Sequence, residues 1–330
     1  MPRPPAAADP PSRSEPLAAV PAPAQSGYAF AHPELDRATE AREHDHVLRA
    51  AWDAPETRVI VVRRDGRVLT DRERTQLARL PVTGWSLAEA SYLGQGSGSA
   101  VFCVSVDEAQ GETTATINSG TFTDLRSVAT LLPGGEAALA AYARALLHWQ
   151  SRKVHCGRCG ALTRLAAGGH RARCSDETCG QEYFPRTDPA IIVIVSDGKR
   201  CLLGRQPSWP DKRYSTIAGF VEPGETLEQA VRREVLEETG IEVSGCRYIG
   251  SQPWPFPASL MIGFEAHATS QEIRVGAELA DARWFDAAEM PAQVARGELV
   301  LSPALSIAFH LIDHWYHGLT GAHLTAGPPR

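Results

Sequence analysis

Apolar positions along the chain fall into two kinds of run. Short continuous runs rich in branched residues, Thr57–Arg63 (TRVIVVR), Ala100–Val106 (AVFCVSV) and Ala190–Val195 (AIIVIV), have the length of buried strands, and a further strand is expected near Met261–Ala266. Longer stretches keep a helical spacing. Glu136–Gln150 (EAALAAYARALLHWQ) is built of strong helix formers with apolar residues on one side. From Leu227 to Thr239, Leu227, Ala230, Val231 and Val235 recur every three or four residues, as on one buried helix face. A last helix is expected over about 303–317. Residues 1–26 are rich in Pro and Ala without any hydrophobic period and are expected to be disordered. The pattern predicts an α/β domain at 27–150, a cysteine-bearing segment at 151–184, a second α/β domain at 185–317 and a tail at 318–330, with no internal repeat visible.

Composition narrows the function classes. A net charge of −6, from 33 basic and 39 acidic residues among 330, argues against a protein held to nucleic acid or membrane by bulk electrostatics. No apolar run approaches a membrane span, and the N-terminus lacks the apolar core of a secretory signal, so a cytoplasmic protein with no membrane partner is expected.

Four of the seven cysteines lie together, as Cys156-x2-Cys159 and Cys174-x4-Cys179. Each pair offers two thiolates to one tetrahedral ion, and four soft ligands with no open position suit structural Zn²⁺. The plainer alternative is four unrelated buried thiols; the spacing favours zinc.

The segment Gly219–Ile241 reads GFVEPGETLEQAVRREVLEETGI. On its helix Glu234, Glu237 and Glu238 share a face, apart from the apolar one, and three carboxylates so close repel unless a cation balances them. Oxygen ligands favour a hard ion, Mg²⁺ or Mn²⁺, and such ions bridge phosphate oxygens and acidify water. Arg233 is placed to pair with Glu225 or a neighbouring carboxylate, and Gly240 suits a helix stop. A Glu-rich solvated face is the common alternative, and the flanking pattern decides against it. The segment resembles the Nudix box, G-x5-E-x7-R-E-U-x-E-E-x-G-U with U aliphatic, and matches it at Gly219, Glu225, Arg233, Glu234, Val235, Glu237, Glu238, Gly240 and Ile241. The resemblance implies a Nudix α/β/α sandwich with a mixed sheet, and hydrolysis of a nucleoside diphosphate linked to another moiety.

Past the box, Ser251–Ser259 reads SQPWPFPAS. Its alternating prolines exclude a helix or a central strand and predict a rigid loop that presents Trp254 and Phe256 for stacking. A Pro/aromatic packing loop would look the same on its own. Together with the cysteine pairs and Tyr183–Pro189 (YFPRTDP), however, the chain is similar to the NADH pyrophosphatase, or NudC-type, subgroup of Nudix hydrolases over about 126–317.

That resemblance implies cleavage of NAD(H) to AMP and nicotinamide mononucleotide, removal of NAD caps from RNA 5′ ends in some members, and a homodimer with the specificity loop near the subunit boundary. It makes Glu234, Glu238, Glu278 and the Ala218 carbonyl the divalent-metal ligands, with Glu237 a further ligand or water-activating group. It makes Gln252, Pro253, Trp254, Pro255, Phe256, Pro257, Ala258 and Ser259 the substrate loop, with Phe220 and Trp254 sandwiching the nicotinamide ring. Arg126, Phe184 and Ala308 become further substrate contacts. The acidic contact that some relatives have between their cysteine pairs has no counterpart near Gly169–His170. Arg164, Arg171 and Arg173 in the cysteine segment could guide an RNA 5′ end or be solvated surface. Two rivals remain at this stage: a Nudix hydrolase for ADP-ribose or another dinucleotide, and a catalytically silent nucleotide or RNA-binding module.

Overall fold

The computed structural model describes residues 28–31, 35–96, 98–107 and 120–325. The tail expected at 1–26 lies outside the described residues.

Two six-stranded sheets share one plan. The first runs β4-β5-β1-β2-β6 with β3 added on β1, where β1 is Arg58–Arg63, β2 Val68–Thr70, β3 Arg79–Pro81, β4 Ser91–Gly96, β5 Ser99–Val106 and β6 Thr121–Thr123. The second runs β13-β14-β10-β11-β15 with β12 added on β10. Its strands are β10 Asp188–Ser196, β11 Arg200–Arg205, β12 Ile217–Phe220, β13 Val243–Trp254, β14 Ser259–Ala268 and β15 Asp281–Asp286. Strand for strand the orientations agree. The central pair is parallel in each sheet (β1 with β5, β10 with β14) and the remaining pairs are antiparallel. The chain therefore contains the same topology twice, although no sequence repeat shows it. A fold can be kept by the burial pattern alone while every side chain that sets it is exchanged.

Each central strand is apolar throughout because both of its faces are covered. In β10, Ile191, Val193 and Val195 pack on α4 (Leu227–Thr239) through Ala230, Val231 and Val235. The alternating Ile192 and Ile194 pack on α6 (Ile307–Thr320) through Ile307, Leu311 and Trp315. The first sheet repeats this arrangement with a change of parts. Ile60 and Val62 meet α3 (Gly134–Ser151), as β10 meets α6. Val59 and Val61 meet Leu48 and Trp52 of α1 (Asp45–Asp53), a helix from before the sheet. Residues 82–90, which occupy the place of 221–242, hold only a single 3-10 turn at Leu87–Glu89.

Between the copies, β7 (Thr163–Ala166), β8 (Arg171–Cys174) and β9 (Glu182–Tyr183) form a small antiparallel sheet bearing the cysteines. Its Ala172 and Tyr183 join the core of the first copy. A short α2 (Leu125–Val128) precedes α3, and α5 (Met290–Ala295) follows β15. The last helix reaches Thr320, three residues beyond its expected end, and is stopped by Gly321 in the left-handed conformation.

Candidate active site

Local sequence explains why α4 stands where it does. Thr226 and Gln229 form a capping box, each side chain bonding the other's backbone N–H, and Gly240 (φ 70°) ends the helix. The expectation of a separate carboxylate face needs correction. Glu234 and Glu238, one turn apart, lie at the rim of the buried face and are 9% and 7% exposed. The Glu237 side chain stands outside at 59%.

The glycine that opens the box is explained by contact. A Cβ on Gly219 would fall 1.9 Å from the carboxyl carbon of Glu234, so a side chain there would displace that carboxylate. The peptide linking Ala218 to Gly219 therefore runs against Glu234. Arg233 binds the group together. It donates to Glu225 (2.6 Å), Glu234 (2.8 Å), Glu237 (3.1 Å) and the Phe220 carbonyl (2.9 Å). Those bonds hold the Glu225 carboxyl below its usual range.

Glu238 has no such cation. Burial first, then Glu234, Glu278 and Glu237, push its carboxyl up to about 7. Glu234 is also raised, chiefly by burial, despite Arg233. Two costly buried carboxylates one helical turn apart offer oxygen donors of the kind a hard divalent ion takes. Glu278, exposed in the turn before β15, supplies further negative charge to both.

The cysteines converge more tightly. Their four sulfurs lie within 4.8 Å of one another, with Cys156 to Cys179 at 3.8 Å and Cys159 to Cys174 at 3.4 Å. Sulfurs about 2.3 Å from a tetrahedral ion stand roughly 3.8 Å apart, so the cluster has the size of a Zn²⁺ site. Tyr183 donates its hydroxyl toward Cys156 (3.3 Å) and accepts from the Gly157 N–H (2.8 Å).

The SQPWPFPAS segment is a hairpin end rather than a free loop. Ser251–Trp254 finish β13, pairing with Ser259–Ile262 of β14. The prolines are tolerated because β13 is an edge strand with one unpaired side. Pro255 is buried, Phe256 and Ala258 are half-buried, Pro253 and Pro257 are exposed, and Ser259 is buried opposite Asp188.

Gln252 is not a surface group that a substrate can reach. It is fully buried, its amide nitrogen donating to Ala29 (2.9 Å) and Leu305 (2.7 Å) carbonyls and its oxygen accepting from the Ile307 N–H (2.8 Å). It braces the hairpin against the first turn of α6, where the Ala308 side chain is itself buried.

The expected ring sandwich is also absent within one chain. Phe220 pairs with Ala190, Ala190 with Met261, and Met261 with Gln252. Three strand spacings, about 14 Å, separate Phe220 from the row of Gln252, and Trp254 lies further along β13. Trp254 turns instead to Phe30 (5.9 Å) and Phe256 (5.2 Å). Phe220 and Phe184 are both 60% exposed. A cavity of about 610 Å³ opens between the hairpin and α3, lined by Arg37, Tyr142, His170, Arg186, Pro253 and Trp254 among others, and no box carboxylate lines it.

Arg126 is brought onto the hairpin, its guanidinium 4.2 Å from the centre of the Phe256 ring. Arg144, which sequence reading passed over, stacks on the same ring at 4.7 Å. A lone arginine in the Ala-rich helix 134–151 was the available signal.

A mixed sheet whose third strand leads into a capped, glutamate-bearing helix is the Nudix arrangement. The NUDIX domain model matches residues 186–305, and the NADH pyrophosphatase-like rudimentary NUDIX domain model matches 56–149. The chain is 36% identical to the NAD-capped RNA hydrolase NudC of Stutzerimonas stutzeri over 270 residues, 82% of this chain and 91% of that protein. It is 44% identical to human NAD-capped RNA hydrolase NUDT12 over 192 residues, 54% of this chain and 42% of that protein. Against NudC of Mycobacterium bovis identity is 41% over 203 residues, 58% and 64% of the two chains. The chain thus spans less than half the length of the NUDT12 relatives it matches. It belongs to the Nudix hydrolase family, in the branch that joins a Nudix domain to an NADH pyrophosphatase-like one.

Proposed function

We propose that the protein hydrolyses the diphosphate bond of NAD(H), giving AMP and nicotinamide mononucleotide, and acts in the same way on NAD-capped RNA 5′ ends. The observation that carries this reading is the pair Glu234 and Glu238, buried with raised carboxyls, the first of them against Gly219. Names of the relatives supply the substrate class.

Glu234, Glu238, Glu278 and the Ala218 carbonyl would hold Mg²⁺ or Mn²⁺; when bound, such an ion draws charge from the diphosphate oxygens and acidifies water. The chain's own residues supply the rest. Without an ion, burial and the neighbouring carboxylates push the Glu238 carboxyl up to about 7; a bound cation would hold it ionised as a ligand, leaving the exposed Glu237 to position the attacking water. Arg233 keeps Glu225, Glu234 and Glu237 in register. The 253–259 hairpin, backed by Arg126 and Arg144, receives the nicotinamide half.

Because Phe220 and Trp254 cannot close on one ring in one chain, the reading includes a homodimer in which one copy's hairpin and exposed Phe184 face the other's Phe220. Sedimentation velocity checks it; a monomer at working concentration overturns it. The reading also places the protein in the cytoplasm. All seven cysteines are free, and no helix among the described residues is long and apolar enough to cross a membrane.

Release of AMP from NADH, NAD⁺, ADP-ribose and NAD-capped RNA, compared side by side with Mg²⁺ and Mn²⁺, tests the activity. Higher efficiency on ADP-ribose would move the protein to another Nudix specificity, and no hydrolysis of any of them would make it a binding module. For the cysteine cluster, metal analysis should find one Zn²⁺ per chain and none in Cys156→Ser.

A further inference from the structure

The cysteine sheet carries a charge arrangement that neither the fold nor the proposed active site uses. Arg164 of β7 and Arg173 of β8 are direct cross-strand partners, so their side chains leave the same face side by side. Like charges directly opposite destabilise a strand pair. Arg171, on the same face two residues away, is neutralised by Glu43 (2.7 Å) and Glu182 (3.7 Å). Glu182, the other cross-strand neighbour of Arg173, is thereby occupied. Among the described residues neither Arg164 nor Arg173 has a carboxylate partner, and both are exposed. They stand in a segment, 151–186, with seven Lys and Arg against three Asp and Glu, within a chain whose net charge is −6.

We propose that the Arg164–Arg173 face binds the phosphate backbone of a single-stranded RNA, holding the strand that continues from the cleaved cap. A rigid hairpin with two unopposed guanidiniums on one side suits successive phosphates of a flexible strand, and guanidinium is the group matched to phosphate oxygens. Position agrees with that use. From Glu182, beside Arg173, six residues of chain lead to Asp188, which pairs with Ser259 of the substrate hairpin. Extended, they span at most roughly 20 Å. Cap recognition and strand binding thus sit on adjoining surfaces, and free NADH has no strand to engage the second. The inference rests on the proposed function for the identity of the polyanion; the charge arrangement stands without it.

The test uses the full-length, zinc-loaded protein and a fluorescein-labelled, uncapped single-stranded RNA oligonucleotide, with binding read by anisotropy over a salt series without Mg²⁺ or Mn²⁺. Arg164→Glu/Arg173→Glu should weaken binding about tenfold or more at low salt. Arg164→Ala/Arg173→Ala should flatten the log K against log salt slope by about 1.4, two phosphate contacts at about 0.7 each, and Arg164→Lys/Arg173→Lys should retain most of it. NADH turnover and zinc content should stay at wild-type values, and the thermal midpoint should not fall in the Ala variant. Unchanged affinity and slope in the Ala and Glu variants overturn the proposal. So does a loss of zinc with unaltered RNA binding, since the arginines would then serve only to offset thiolate charge. Because binding is read without turnover, absence of NADH hydrolysis in the wild type would sink the proposed function while leaving this result interpretable.

Discussion

The two halves of the molecule are the same fold put to different uses. Both have a parallel central strand pair buried on two faces, and both end in a helix packed on one of those faces. They differ at one connection. Between β12 and β13 the chain makes a capped helix whose buried rim holds Glu234 and Glu238; between β3 and β4 it makes a single turn with Glu89 outside. The face left bare is filled in the first copy by Leu48 and Trp52, apolar groups that need no counter-ion. A sheet can thus keep this architecture without a helix at that connection, provided other apolar area covers the face. The first copy serves instead as a support, carrying the cysteine sheet and backing the 253–259 hairpin with Phe30, Arg126 and Arg144.

The sharpest break in that comparison is Glu238→Gln. It keeps the shape and removes the charge, so kcat should fall by roughly two to four orders of magnitude. Thermal stability should not fall, because burying a carboxylate among Glu234, Glu237 and Glu278 is unfavourable to begin with. Turnover near the wild-type rate in a folded variant would remove Glu238 from the mechanism.

Next in size is the seam between the first copy and the cysteine sheet. His170 donates to the Tyr92 carbonyl (2.8 Å) and lies 3.3 Å from the Tyr142 hydroxyl. Burial, with Arg42 and Arg37 nearby, pushes its imidazole down to about 4. A depressed histidine leaves the folded state with fewer bound protons than the unfolded state between about pH 6.5 and 4. Its contribution is therefore whole above pH 6.5 and is lost as pH falls toward 4, by about 3 kcal/mol in all. Denaturation midpoints of His170→Gln should show a shallower acid slope across that window; an identical slope would place the acid sensitivity elsewhere.

Of similar size, and specific to the support role, is Gln252→Ala. Three hydrogen bonds to Ala29, Leu305 and Ile307 are lost from a buried site, a cost of about 2–4 kcal/mol. Since the hairpin is loosened while the glutamates are untouched, KM for NADH should rise about tenfold with kcat changed less than threefold. A fall in kcat alone, with KM constant, would mean that Gln252 acts on the reacting centre.

What sequence reading reached and missed follows from how each feature is encoded. The box helix appears over the expected Leu227–Thr239, because apolar period, cap and glycine stop are all local signals. The cysteine cluster is local as well. The duplication was invisible because a shared topology requires only matching burial, and what Val59–Val62 and Ile191–Ile194 share is a run of branched apolar residues that any buried strand can carry. Gln252 was assigned to substrate because its neighbours look like binding residues; its partners at 29, 305 and 307 are distant in sequence. That Phe220 and Trp254 do not face each other within one chain was hidden for a similar reason, since only strand order shows that three spacings lie between their rows.

The smallest effect is also the most direct check on what separates the copies. Glu89 is the acidic residue of the connection that replaces the box in the first copy, on a turn with no buried residue. An exposed carboxylate keeps its hydration and gains little from a bound ion, whereas Glu234 and Glu238 are buried and already penalised. Glu89→Gln should therefore leave kcat, KM and the Mg²⁺ or Mn²⁺ concentration for half-maximal activity within about a factor of two, as surface substitutions do. A large loss of activity in this variant would mean that the first copy still handles metal or substrate. The contrast between a working helix and a bare turn would then have to be abandoned in favour of two cooperating sites.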